Sequence, residues 1–112
     1  MNLKIEIKNR EAQVNYLSIF IIGLLQCLEE DVILVEDAEQ IFFKPYYMDL
    51  FGENLPMIVQ LIHQGTELSD IKTIISQTAY NHEIKKMKLE AYRNIELEDR
   101  SVLEGKFFEY VP

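Results

Sequence analysis

The sequence predicts a mainly α domain, α+β with minor strand content: a compact helical body around one central buried helix, with short strands at the termini. Three observations carry this. Between Glu11 and Glu30 the apolar side chains Val14, Leu17, Ile21, Leu24 and Leu28 recur every three or four residues, the repeat of a helix face. Caps and terminators then punctuate the middle of the chain at helix-length intervals: Pro45, Asn54, Pro56, Gly65, Thr66 and Asn81. Finally, apolar and charged residues alternate strictly near the start, and an aromatic, β-prone run closes the chain.

The alternation comes first. Leu3, Ile5 and Ile7 against Lys4, Glu6 and Lys8 is the period of a half-buried strand. In the helix that follows, Tyr16, Ile19, Phe20 and Leu25 widen the apolar stripe until only the line Asn15, Ser18, Gln26, Glu29 stays polar, with Ile22 interrupting it. A helix apolar on nearly every side belongs at the centre of the core. Val32 to Val35 reads as a brief strand or a buried connector. Glu36 to Phe43 reads as a short helix with acids in its first turn, stopped by Pro45, since the residue before proline is driven out of helical geometry. Tyr46 to Phe51 is expected to add a helical turn before Gly52. Asn54 is expected to cap a helix over 55–64 that Gly65 terminates, and Thr66 to cap the next, with Leu68, Ile71, Ile74 and Ile75 facing inward. Asn81 is expected to cap a last helix whose inner stripe is Ile84, Met87, Ala91 and Ile95. From Ile95 onward the pattern leaves open helix, a hairpin, or one strand pairing with the N-terminal one.

The 112 residues make one domain, 1–112, and an apolar share of 48% suffices for a core. The single cysteine, Cys27, lies among leucines and excludes an internal disulfide, which fits a reducing compartment and an inert buried thiol. Lys4, Lys8 and Arg10 before the apolar run resemble a leader peptide. However, Glu6 and Glu11 dilute that positive region, and Glu29, Glu30 and Asp31 stand where small cleavage-site residues belong. The run from Tyr16 to Leu28 is short for a membrane span. A cytoplasmic protein without a membrane role is expected.

Charge is unevenly placed. Of 19 acidic residues, ten lie between positions 29 and 70, where Lys44 is the only base, and the formal net charge of the chain is −8. Such a segment repels a phosphate backbone, so nucleic acid is not the expected partner.

Two blocks, Glu36-Asp37-Ala38-Glu39-Gln40-Ile41-Phe42-Phe43-Lys44-Pro45-Tyr46 and Ile62-His63-Gln64-Gly65-Thr66-Glu67-Leu68-Ser69-Asp70-Ile71, resemble a family of small, functionally uncharacterised bacterial proteins, mainly Gram-positive. The resemblance implies a stand-alone helical protein with a short corner after the histidine, and it implies no activity.

Among chemistry-bearing residues, His63, Glu67 and Asp70 surround the expected corner at Gly65, where a base or part of a metal site could form. Capping accounts for them more simply: a histidine suits a helix C-terminus and a glutamate suits the next N-terminus. A small enzyme using His63 with Glu67 or Asp70 is therefore the least favoured alternative. Two histidines and one cysteine do not make a structural zinc site, and the acids of 29–39 lack calcium-loop spacing. No serine sits on a glycine-flanked elbow, and the glycines form no phosphate loop. Neither cofactor nor metal is expected, and the chain does not read as an enzyme. What stands out is the aromatic run Phe42, Phe43, Tyr46, Tyr47, Met48, Phe51 within acidic ground. Core packing is its default role, but aromatic anchors in one-signed charge also suit a protein-binding face. The leading expectation is a non-enzymatic module, inhibitor- or immunity-like, that binds a basic protein through Glu36, Asp37, Glu39, Tyr46 and Tyr47. A self-associating structural or regulatory subunit is the alternative.

Overall fold

The computed structural model describes residues 1–95 and 107–112. The chain runs β1 (Asn2–Ile5), α1 (Arg10–Glu29), α2 (Val35–Ile41), α3 (Pro45–Phe51), a 3₁₀ turn (Gly52–Asn54), α4 (Pro56–Thr66), the short α5 (Leu68–Asp70), a π-helical turn (Ile71–Ile75), α6 (Gln77–Asn94) and β2 (Phe108–Val111). The mainly helical class holds, and the only sheet among the described residues joins the two ends of the chain. β1 and β2 pair antiparallel, with Asn2 opposite Val111 and Ile5 opposite Phe108. The choice between helix and strand for residues 96–106 lies outside the described residues.

Helix α1 starts where its cap dictates: the Asn9 side chain accepts from the Ala12 backbone N–H at 3.1 Å. It is the longest helix and the core is built on it, with Val14, Ile21, Leu25 and Leu28 buried against Val35, Ile58, Leu61, Ile62, Ile84 and Met87. By length and composition it could also cross a membrane; here its inner side is packed against the rest of the domain. Two findings concern its faces. The line Asn15–Ser18–Gln26–Glu29, polar in sequence, divides in the fold: Asn15 and Ser18 are fully buried, whereas Gln26 and Glu29 are exposed. The C-terminal half of the line ties α1 to α6: Lys88 Nζ donates to Gln26 Oε1 at 2.7 Å and to Glu29 Oε2 at 3.2 Å, so polarity there marked a contact. Conversely, Ile19, Phe20 and Gly23, on the side away from Val14, Ile21 and Leu25, are exposed, so the helix is central without being enclosed. Cys27 is half-buried on that side, not sealed among the leucines.

The middle of the chain departs from expectation at its punctuation. Val32 to Leu34 is a connector with Val32 and Leu34 exposed, and α2 ends at Ile41, before Phe42. Pro45 does not close α2; it opens α3 at its first position, where the missing N–H is no loss. Gly65 does not terminate α4, which continues to Thr66. A Cβ at Gly65 would collide with the buried ring of Phe43, so this glycine lets an aromatic lie flat on a helix. Positive φ falls at Asp31 and Gly52 only, among the described residues. The last helix starts earlier than expected: Ser76 caps it through its hydroxyl to the Ala79 N–H at 3.0 Å, and Asn81 lies inside. Its predicted stripe Ile84, Met87, Ala91 is buried. Ile74 and Ile75, expected to face inward, are 76% and 67% exposed, because the π turn breaks the 3.6-residue repeat that would have aimed them at the core.

Candidate functional site

Among the described residues a concavity lies where α1, α2, α3 and the end of β1 with the segment after it converge. Phe42 is its hub. As the residue just past α2 it leaves helical geometry, and its ring meets Phe20 edge-on at 5.0 Å, Tyr47 at 5.2 Å and Phe51 at 6.1 Å. Helical spacing places Tyr47, Leu50 and Phe51 on one face of α3. That face turns toward α1 and leaves a groove of about 570 Å³, lined also by Tyr16, Leu17, Ile41 and Leu55, with Ile5 and Ile7 along one side. Its rim is apolar and open to water: Leu50 is 57% exposed, and Ile41 and Phe20 are exposed as well. Of the polar lining residues, Gln13 Nε2 donates to the Ile7 carbonyl at 2.6 Å, and the Asn54 backbone carbonyl accepts from Arg10 Nε at 2.9 Å.

The residues singled out for partner binding separate into groups. Tyr47 lines the groove, stacked on Phe51 at 6.1 Å, with Lys44 Nζ 5.4 Å from its ring centre. Tyr46 is exposed and meets Tyr47 edge-on, but it lies outside the groove. Glu36 is exposed on the first turn of α2. Asp37 is exposed too, but its Oδ2 accepts the Leu34 N–H at 2.9 Å and so helps to start the helix. Glu39 is half-buried, and burial, followed by the neighbouring charges of Glu36 and Asp70, raises its carboxyl above the ordinary range. It is the least suited of the three to project a field. Phe42 and Phe43 are buried, so the aromatic run divides into core and groove. Sequence periodicity missed Phe20, Ile41 and Leu50. Each belongs to a stripe that reads as core, and only packing shows which members are left uncovered.

The histidine corner is also divided. His63 Nδ1 lies 3.2 Å from Glu67 Oε1, one helical turn away, with both side chains more than half exposed. The Thr66 hydroxyl donates to the His63 carbonyl at 2.6 Å. Asp70 bears instead on Glu39. The pair sits on an open surface away from the groove lining. At the start of α6, Tyr80 is buried, and its hydroxyl is raised by burial and by Asp31 and Glu36. Among the described residues no group of three or more His, Cys, Asp or Glu could hold a metal ion.

Residues 8–108 match the model of a family described as "Protein of unknown function (DUF3969)". Neither curated proteins nor solved structures provide a match.

Proposed function

Because the chain belongs to this family of unknown function, we propose from its own geometry that it is a protein-binding module whose groove receives an apolar side chain from a basic partner. The observation that carries the reading is the groove itself: an aromatic floor under an apolar rim, with no carboxylate, histidine, lysine, arginine or cysteine among the described residues that line it. Such a lining favours burial of an anchor over acid–base chemistry. The basic character of the partner rests on charge. Asp37 lies one turn before Ile41 on α2, Asp49 adjoins Leu50 on α3, and ten of the chain's acids fall between residues 29 and 70 against Lys44 alone. Inhibitors and immunity-type proteins act in this way, steering a basic target by charge and holding it by buried anchors.

Leu50→Asp tests the anchor and the pair Glu36→Lys with Asp49→Lys tests the steering; Asp37 is left alone because it caps α2. With a basic partner isolated from the native cell, Leu50→Asp should speed dissociation at least about 30-fold, as loss of a central contact does. The charge reversals should mainly slow association and flatten its salt dependence. A partner that binds the Leu50→Asp protein as tightly as wild type would overturn the groove reading.

A further inference from the structure

The last long helix carries a face opposite in sign to the surroundings of the groove. On α6, Lys85, Lys86, Leu89, Tyr92 and Arg93 follow His82 by three, four, seven, ten and eleven residues. Helical spacing therefore sets all six on one side, away from the buried stripe Ile84, Met87, Ala91. All six are exposed, and the two apolar ones, Leu89 at 48% and Tyr92 at 51%, stand between the bases. The carboxylates of this helix fall elsewhere. Glu83 and Glu90, seven residues apart, share the flank toward α4, where Glu90 borders a small cleft with Met57 and Gln60. Lys85, Lys86 and Arg93 make no ion pair among the described residues, although the chain holds 19 acids against 11 bases. At the groove the charges of opposite sign are equally unpaired. Asp49 precedes Leu50 and Glu53 follows it by three, both exposed and both without an ion pair among the described residues.

We propose that the occupant of the groove is this face of a second copy. The α6 of one molecule lies along the groove of the next, Leu89 and Tyr92 enter beside Leu50, and Lys85, Lys86 and Arg93 meet Asp49 and Glu53. The proposal rests on the groove reading and names its partner. An apolar anchor flanked by bases is the ligand that an aromatic groove in acidic ground selects, and charge complementarity sets which surface of the chain supplies it. The helix presents its anchors already folded, so little ordering opposes the contact. The net charge of −8 on each copy opposes it only weakly, because salt screens charges beyond about 8 Å while the facing groups meet within that distance. Among the described residues no part of α6 lines the groove, so the two surfaces are separate and the contact is heterologous. Each pair leaves one groove and one α6 face unused, and association continues unless it closes into a ring.

The test is the solution mass over a micromolar concentration series, by sedimentation equilibrium and native mass spectrometry. Wild type should associate, and added salt should weaken the association. Leu50→Asp and Leu89→Asp should each be monomeric, since each loses one of the two surfaces. Both side chains are exposed, so the far-UV circular dichroism spectrum should stay unchanged. Lys85→Glu with Lys86→Glu should weaken association about tenfold. The mixture of the two leucine variants separates this contact from general stickiness. The intact groove of the Leu89→Asp protein should take the intact α6 of the Leu50→Asp protein, and the assembly should stop at a one-to-one heterodimer. A wild-type monomer throughout the series, association that survives Leu89→Asp, or a mixture that stays monomeric would each overturn the proposal. The groove reading fails on a different result, a partner from the native cell that ignores Leu50→Asp. A monomeric wild type that still needs Leu50 to hold such a partner would reject the second copy and keep the groove.

Discussion

Gly65→Ala asks for one methyl group where the structure leaves no space. Gly65 is buried within α4, and an added Cβ would meet the Cγ, Cδ1 and Cδ2 carbons of Phe43 well inside van der Waals contact. Those atoms are the base of the ring, so rotation about the ring axis does not clear them. The ring cannot retreat either, because Phe43 is itself fully buried in the core cluster with Ile58, Leu61, Ile62 and Leu68. Two effects of opposite sign compete. Alanine is worth about 1 kcal/mol over glycine inside a helix. Overpacking a filled core costs about 1–3 kcal/mol, toward the upper end when backbone must move. The clash wins, leaving a net loss of about 1–2 kcal/mol, which for a domain of this size lowers Tm by roughly 5–10 °C. Thermal and urea unfolding followed by circular dichroism measure it. Shortening the obstacle should recover part of the loss, so Gly65→Ala should cost less in a Phe43→Leu background than in wild type. A Gly65→Ala protein as stable as wild type would refute the argument.

Two further predictions concern local chemistry. Ser76→Ala removes the hydroxyl that caps α6 and should destabilise the fold by about 1 kcal/mol, read as a lower urea midpoint, while Asn81→Ala, one turn inside the helix, should cost less. Glu39→Gln should stabilise the protein at neutral pH by no more than about 1 kcal/mol. The folded state raises the Glu39 carboxyl through burial, Glu36 and Asp70, so its ionised form carries a penalty above the folded pKa. That penalty is relieved as pH falls through the folded pKa toward the ordinary carboxylate value. The advantage of the variant over wild type should therefore shrink on acidification across that window, and a difference that grew instead would reverse the sign of the coupling.

Much of the architecture was legible in sequence because it depends on local rules. The 3.6-residue repeat from Val14 to Leu28 fixes a helix wherever it packs, and Ile84, Met87 and Ala91 mark their buried stripe in the same way. The β-prone ends specify strands, and since no other strand occurs among the described residues, they had each other as the partner at hand. The composition and the acidic middle segment are likewise properties of the chain itself.

What tertiary structure decided is which side of each pattern was used. Apolar periodicity says that a face avoids water without saying which neighbour covers it. Ile19, Phe20, Ile41 and Leu50 therefore read like Ile21 and Leu25, until packing left the first four open and buried the other two. Polarity is equally ambiguous: along one polar line of α1, Asn15 and Ser18 are buried, while Gln26 and Glu29 are exposed and hold Lys88 of α6. Gly65 carries no sign in one dimension of the ring it must accommodate, since Phe43 lies two elements earlier in the chain. The alternation of Leu3, Ile5 and Ile7 fixes a strand with one apolar face, but whether that face is buried depends on what lies against it. Leu3 and Ile5 stay exposed, since among the described residues β2 is the only strand paired with β1.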